Sequence, residues 1–223
     1  MQSTRKKDLV RSEIVNRLLA RQYGFGDKIS VLELCQSIGV SRQPIMTALN
    51  ALSAEGFVRV TAQVGCEVVA PSRSEIGDFF LMFGKLEGVI AQLAAERRTD
   101  DELRELEEIN DRILKLDGVG PRTAKQYREL NLDFHDLLHT MAHSESLHMR
   151  QASLFAMSDF LIVQTSGFAL HIKEAAVEHA AIIGALRTKN SNLARDAAEE
   201  HIRQVAQFVD VHIERTLKAL MRG

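Results

Sequence analysis

Between residues 41 and 57 the chain reads SRQPIMTALNALSAEGF, and Ile45, Ala48, Leu49 and Leu52 recur at the spacing of one helical face. Ser41, just ahead, is a residue type that caps helices by accepting a backbone N–H, and Pro44 suits a first turn. Arg42, Gln43, Met46 and Thr47 are left on the opposite side. A shorter apolar-periodic stretch, residues 31–38, stops at Gly39, so the two segments read as helix, turn and helix. The second helix of such a unit places its N-terminal residues in the DNA major groove. Upstream, Leu9, Ile14, Leu18 and Leu19 predict a helix over about residues 7–21. Arg5, Lys6, Lys7 and Arg11 flank it and could either meet phosphates or simply solvate an exposed face.

Downstream the period changes. Tyr23 to Ile29, YGFGDKI, reads as a glycine-bearing turn, while residues 57–61 and 66–70 read as two short strands. The stretch Ala62-Gln63-Val64-Gly65 would form the tip of their hairpin. Three helices followed by such a ribbon make a winged helix-turn-helix, with a hairpin that plays no part in DNA binding as the alternative. Pro71-Ser72-Arg73-Ser74 interrupts the pattern, and Ser72 and Glu75 are spaced as a capping box, as are Thr99 and Glu102. The rest reads as helices over about residues 75–98, 100–116, 122–141, 145–164, 168–188 and 193–221. Short connections between them imply an antiparallel bundle.

Composition agrees with a mainly α chain: 223 residues hold three prolines, no tryptophan and 45% hydrophobic residues. That length accommodates two modest domains, each with its own core. The net charge of −2 conceals an asymmetry. Residues 1–73 carry ten Lys or Arg against six Asp or Glu, and a basic front attracts phosphates. Two cysteines, Cys35 and Cys66, are too few for a disulfide framework and form no CxxC pair. No run approaches the roughly 18 apolar residues of a membrane span, and the N-terminus lacks the apolar stretch of a signal peptide. A cytoplasmic location is expected.

With this organisation in hand, the chain resembles the GntR family of bacterial transcription regulators, in the branch with an all-helical FCD ligand domain of the FadR type. The matching residues of the first domain are Leu34, Ile38 to Arg42, Pro44, Ala48-Leu49, Leu52, Glu55-Gly56 and Gly65. Those of the second are Leu86-Glu87, Phe134-His135, Glu178-His179 and His201-Ile202. The resemblance implies a winged helix-turn-helix over residues 1–71, a linker over 72–78 and a six- to seven-helix bundle over 79–223. It implies a ligand-responsive, homodimeric regulator, a repressor, reading operator DNA through Arg11, Ser41, Arg42, Gln43, Thr47, Gln63 and Gly65. Met46 and Leu32 stand where family members carry arginines. An arginine on guanine is worth ~1–3 kcal/mol of discrimination, so the expected operator departs from the common consensus.

All eight histidines follow residue 130. Spacing alone does not choose among them, because Asn131 and His135, His135 and His139, and His139 and His143 are each four apart on a helix. The resemblance implies Asn131, His135, His179 and His201 as ligands to a divalent transition metal, zinc or nickel, with asparagine in place of the family's more frequent aspartate. It implies an effector pocket beside the ion, to which Phe83 and Glu87 are assigned, and an organic acid as effector. Phe83 stands where the family commonly has a carboxylate-binding arginine, which favours a larger or less charged ligand unless Phe79, Phe80 and Phe83 simply pack. The alternatives are a polar pocket without metal, a metal sensor with no organic effector, and a metal-dependent hydrolase. The hydrolase gains little, since no HExxH or other general-base motif is present.

Overall fold

Helix α1 (Gln2–Leu19) turns Val10, Ile14, Val15 and Leu18 inward, the 3–4 periodicity of an amphipathic helix. These side chains meet α2 (Val31–Ile38) and α3 (Arg42–Ala54), whose Leu34, Ile45, Leu49 and Leu52 are fully buried. The turn between α2 and α3 is made by Gly39, which takes φ 72° and sends its N–H to the Cys35 carbonyl, a helix ending that glycine adopts without steric cost. The computed structural model describes residues 2–62, 64–118, 120–168 and 172–220, with side chains between 9 and 213.

The wing is three-stranded rather than two-stranded. Strand β1 (Lys28–Ile29) lies where the sequence suggests only a turn. It pairs antiparallel with β3 (Gly65–Val68), and β3 pairs with β2 (Val58–Thr61) in the order β1-β3-β2. The register sets Ile29 opposite Cys66 and Val58 opposite Val68, so one sheet face joins the core. Two residues are too short to show a period of two, which is why β1 escapes a sequence reading.

Ser72 caps α4 (Arg73–Arg97), and both members of its capping box with Glu75 are formed. Thr99 and Glu102 do the same for α5 (Asp100–Leu114). The remaining helices are α6 (Pro121–Met141), α7 (Glu145–Thr165), α8 (Ile172–Arg187) and α9 (Ser191–Leu220). The long helices α4 and α9 lie along one another, and Gly88 allows the approach: a Cβ there would come within 2.6 Å of Glu199 Cγ. Lys85 pairs with Glu199 across the same seam.

Two apolar clusters result. One fills the end of the bundle around Leu106, Leu130, Phe134, Ile182 and Ala198. The other runs without a break from Ile14, Leu49 and Phe57 of the winged unit into Phe80, Phe83, Phe155, Phe160 and Val209 of the bundle. Phe160 of α7 makes the join, edge-on to Phe25 at 5.6 Å and to Phe57 at 5.5 Å between ring centres.

Candidate functional site

At the head of α3, Arg42, Gln43 and Thr47 are exposed on one side of the helix. Ser41 sits at the N-cap position with extended backbone, but its hydroxyl makes no capping hydrogen bond. The expected cap is thus not formed, and Ser41 is an exposed hydroxyl beside Arg42. Thr47 returns its hydroxyl to the Gln43 carbonyl at 3.0 Å. Met46 is half-buried against the winged-unit core, so it replaces a surface charge with packing and is not a free apolar residue. Leu32 is 67% exposed.

Arg11 differs from the sequence expectation. Its guanidinium is clamped on Glu55, with Nε donating to Oε1 at 2.9 Å and Nη2 to Oε2. The pair ties α1 to the end of α3, a two-pronged geometry that holds both partners in place. Gly65, at φ 138°, opens β3 and is exposed. Gln63, expected at the wing tip, lies outside the described residues.

Inside the bundle, His135 of α6, His179 of α8 and His201 of α9 are buried, and each offers a ring nitrogen within 4.8 Å of the others. Their rings are stacked or edge-on at 4.8 to 5.4 Å between centres. His179 lies flat against Phe134 at 3.9 Å. Two carboxylates stand behind the cluster. Nδ1 of His135 donates to Glu87 Oε2 at 3.2 Å, and Nδ1 of His201 donates to Glu178 Oε2 at 2.7 Å. His135 and His201 are thereby oriented with Nε2 left for the cluster, the carboxylate–histidine arrangement that supports metal ligation. Burial, partly opposed by Glu87, lowers the His135 pKa to about 4, which keeps the ring neutral, as ligation requires. Burial opposes ionisation of Glu87 too, but His139 and His135 outweigh it and hold the carboxyl well below its usual range. Three imidazoles from three helices suit a borderline transition metal such as zinc.

Asn131 is buried on the wall of a small cavity of about 30 Å³, which His135 and His201, but not His179, line together with Tyr127, Phe155 and Asp159. Its Oδ1 accepts a hydrogen bond from the Tyr127 hydroxyl at 3.2 Å. Asp159 is buried against Arg128, Nε to Oδ2 2.7 Å, and burial pushes its pKa up to about 6 against the pull of the arginine. Phe83 does not reach this cavity. It packs behind Phe155, 6.2 Å between ring centres, and stacks on Phe79. Glu87 is likewise absent from the lining, being 1% exposed beneath His135 and His139.

Helix α7 touches both the histidine cluster and the core of the winged unit. Phe155 lies 4.7 Å from the His135 ring, and Phe160 enters the winged unit one and a half turns later. Gln164 then donates to the carbonyls of Leu18 and Tyr23 at 3.2 and 2.9 Å.

Residues 6–68 match the profile of the bacterial regulatory proteins of the gntR family, and residues 78–204, more than half the chain, match that of the FCD domain. The chain belongs to the GntR family, in its FCD branch. The Nta operon transcriptional regulator of Aminobacter aminovorans is 32% identical over 131 residues, 58% of this chain and 61% of that protein. The HTH-type transcriptional repressor RspR of Escherichia coli is 22% identical over 201 residues, 90% of this chain and 86% of its own. Among solved structures, Escherichia coli McbR/YncC superposes with a TM-score of 0.76 at 17% identity, covering 92% of this chain and 96% of that one, and so supports the fold. Regulators of this branch pair a DNA-binding unit with a ligand-binding FCD domain; this chain is such a regulator and not an enzyme. No described helix is long and apolar enough to cross a membrane. Within this GntR frame, Glu178, Tyr127 and Asp159 at the site escape sequence reasoning, because carboxylates and a tyrosine on a helix are ordinarily surface or core residues. The one signal is Glu178 immediately before His179.

Proposed function

We propose that the chain is a homodimeric repressor whose operator affinity is set by a divalent transition metal and a small organic acid at the histidine cluster. The convergence of His135, His179 and His201 from three helices within 4.8 Å supports this reading most directly. The three histidines would hold the ion, with the Oδ1 of Asn131, on the wall of the adjoining cavity, as a further oxygen donor. The bound ion would supply Lewis acidity toward a carboxylate oxygen of the effector. Glu87 and Glu178 would keep the ligating rings in one tautomer.

On the DNA side, Arg42 and Gln43 are the base-reading candidates and Ser41 a phosphate contact. Effector and operator then communicate through α7, because Phe155 rests on His135 while Phe160 and Gln164 grip the winged unit. A coupling of ~1–3 kcal/mol would give about 5–150-fold control. A dimer neutralising roughly eight phosphates has a log–log salt slope of about −7.

Fluorescence anisotropy on operator fragments selected by the purified protein tests this, read with metal-loaded and chelator-treated protein across a salt series. A slope near zero, or identical affinities with and without metal and acid, would overturn it. The cavity's volume of about 30 Å³, room for only one or two waters, favours a second reading in which the ion alone is the signal. A thermal-shift screen of organic acids separates the two: no acid shifts the melting temperature of a pure metal sensor.

A further inference from the structure

Glu87 is the meeting point of a second group of buried donors. It receives Nδ1 of His135 at 3.2 Å, Nε2 of His139 at 2.7 Å and Nε2 of Gln151. The donors come from α6 and α7 and converge on a carboxylate of α4, and all four side chains are at most 3% exposed. The ligand atoms of Glu87, His135 and His139 lie within 4.8 Å of one another. A tetrahedral ion with bonds of ~2.0–2.1 Å has ligand-to-ligand edges of about 3.3 Å, so the contacts at 2.7 and 3.2 Å are close to the edges such an ion needs. Gln151 supplies an independent sign. Its Oε1 is fully buried and makes no hydrogen bond, an arrangement that costs roughly 1–3 kcal/mol unless something satisfies it. Turning the amide over would aim that oxygen at Glu87, which is repulsive unless a cation lies between them. With a cation present, the turned amide becomes a fourth ligand.

We infer that Glu87, His135, His139 and Gln151 form a second cation site, selective for a divalent transition metal, which competes with the histidine cluster for His135. A neutral imidazole has one N–H and one lone pair. When Nδ1 of His135 ligates an ion beside Glu87, the ring proton moves to Nε2, and His135 no longer serves His179 and His201. When Nε2 ligates in the cluster, Nδ1 carries the proton and donates it to Glu87, as in the structure described above. Occupancy of either site therefore weakens the other, and the protein reads metal through the tautomer of one side chain. His139 and Gln151 would ligate only in the second site and reach the first solely through Glu87, so they separate the two.

Cobalt(II) titration of the chelator-stripped full-length protein, followed by visible absorption and by equilibrium dialysis, tests the inference. The wild type is expected to take up a first equivalent and then a second at least tenfold more weakly. His179→Ala, which cripples only the histidine cluster, is expected to keep one equivalent, now bound without competition. Adding His139→Ala to it is expected to abolish that equivalent. His139→Gln keeps a hydrogen-bonding side chain on Glu87, and with His179→Ala it should also lose the ion while retaining the wild-type circular dichroism. A His179→Ala protein that binds no cobalt while His139→Ala keeps one equivalent overturns this site and leaves the first intact. One equivalent in the wild type that survives His179→Ala and vanishes in His139→Ala supports this site and removes the histidine cluster. No binding in the wild type overturns both.

Discussion

Asp159 shows how a single buried group shapes the chain's response to pH. Its pKa is about 6 in the folded protein against an ordinary 3.8, so the folded state holds the proton more tightly than the unfolded one. Its contribution to stability is therefore full below about pH 3.8 and is lost as the pH rises through about 6, a change of ~3 kcal/mol. Asp159→Asn should remove that loss. Urea unfolding at pH 5 and 7.5 is expected to show the variant gaining about 1–1.5 kcal/mol on the wild type between the two, and a difference flat with pH would contradict the assignment. Arg11 makes a second case. Because it is paired with Glu55, Arg11→Ala should cost up to about 1 kcal/mol of stability while leaving the salt slope of DNA binding unchanged. Arg42→Ala should instead weaken operator binding by ~1–3 kcal/mol with little change in melting temperature. At the histidine cluster, Glu178→Gln should lower metal affinity about 10–100-fold through its hold on His201, read by competition with a chromophoric chelator. These assignments were not all legible in residue types. Arg11 reads as a phosphate contact until its partner 44 positions away is brought beside it, and Met46 reads as exposed until the core reaches it.

Among the elements, α7 has the fullest double duty. One of its faces carries Gln151, Phe155 and Asp159 toward the buried histidines, and another carries Phe160 and Gln164 toward the winged unit. A helix buried on two faces loses the single apolar stripe that marks amphipathic helices. A sequence reading therefore finds α7 but not what it joins. By contrast, α2, α3 and the capped starts of α4 and α5 were legible because glycine, serine, threonine and glutamate act within a few residues of chain. Strand β1 was not, since it exists only through its pairing with β3. Phe160→Ala is the test of α7 as the connecting rod. Truncating a fully buried phenylalanine costs about 3–5 kcal/mol. The variant's operator affinity should also become insensitive to metal and chelator, because its remaining hold on the winged unit is reduced to Gln164 and its neighbours. A variant that is destabilised yet still fully metal-responsive would place the coupling elsewhere, at the capped start of α4.

Over the whole molecule, the order of the two units and the helical character of the second could be read from a change of hydrophobic period near residue 71. How the units sit against one another could not, since that rests on contacts such as Phe25 with Phe160, 135 positions apart. Those contacts make the larger apolar cluster a shared one: Ile14, Leu49 and Phe57 belong to the same packed interior as Phe83 and Val209. The linker is thus spanned by a solid hydrophobic joint as well as by covalent chain. Calorimetry of the wild type should show one cooperative endotherm, because neither unit can melt without exposing the other's side of the joint. A ligand-responsive regulator built this way has a packed joint, not a slack linker, through which a signal passes. Grafting the winged unit onto a foreign partner would leave a bare aromatic socket where Phe160 had been.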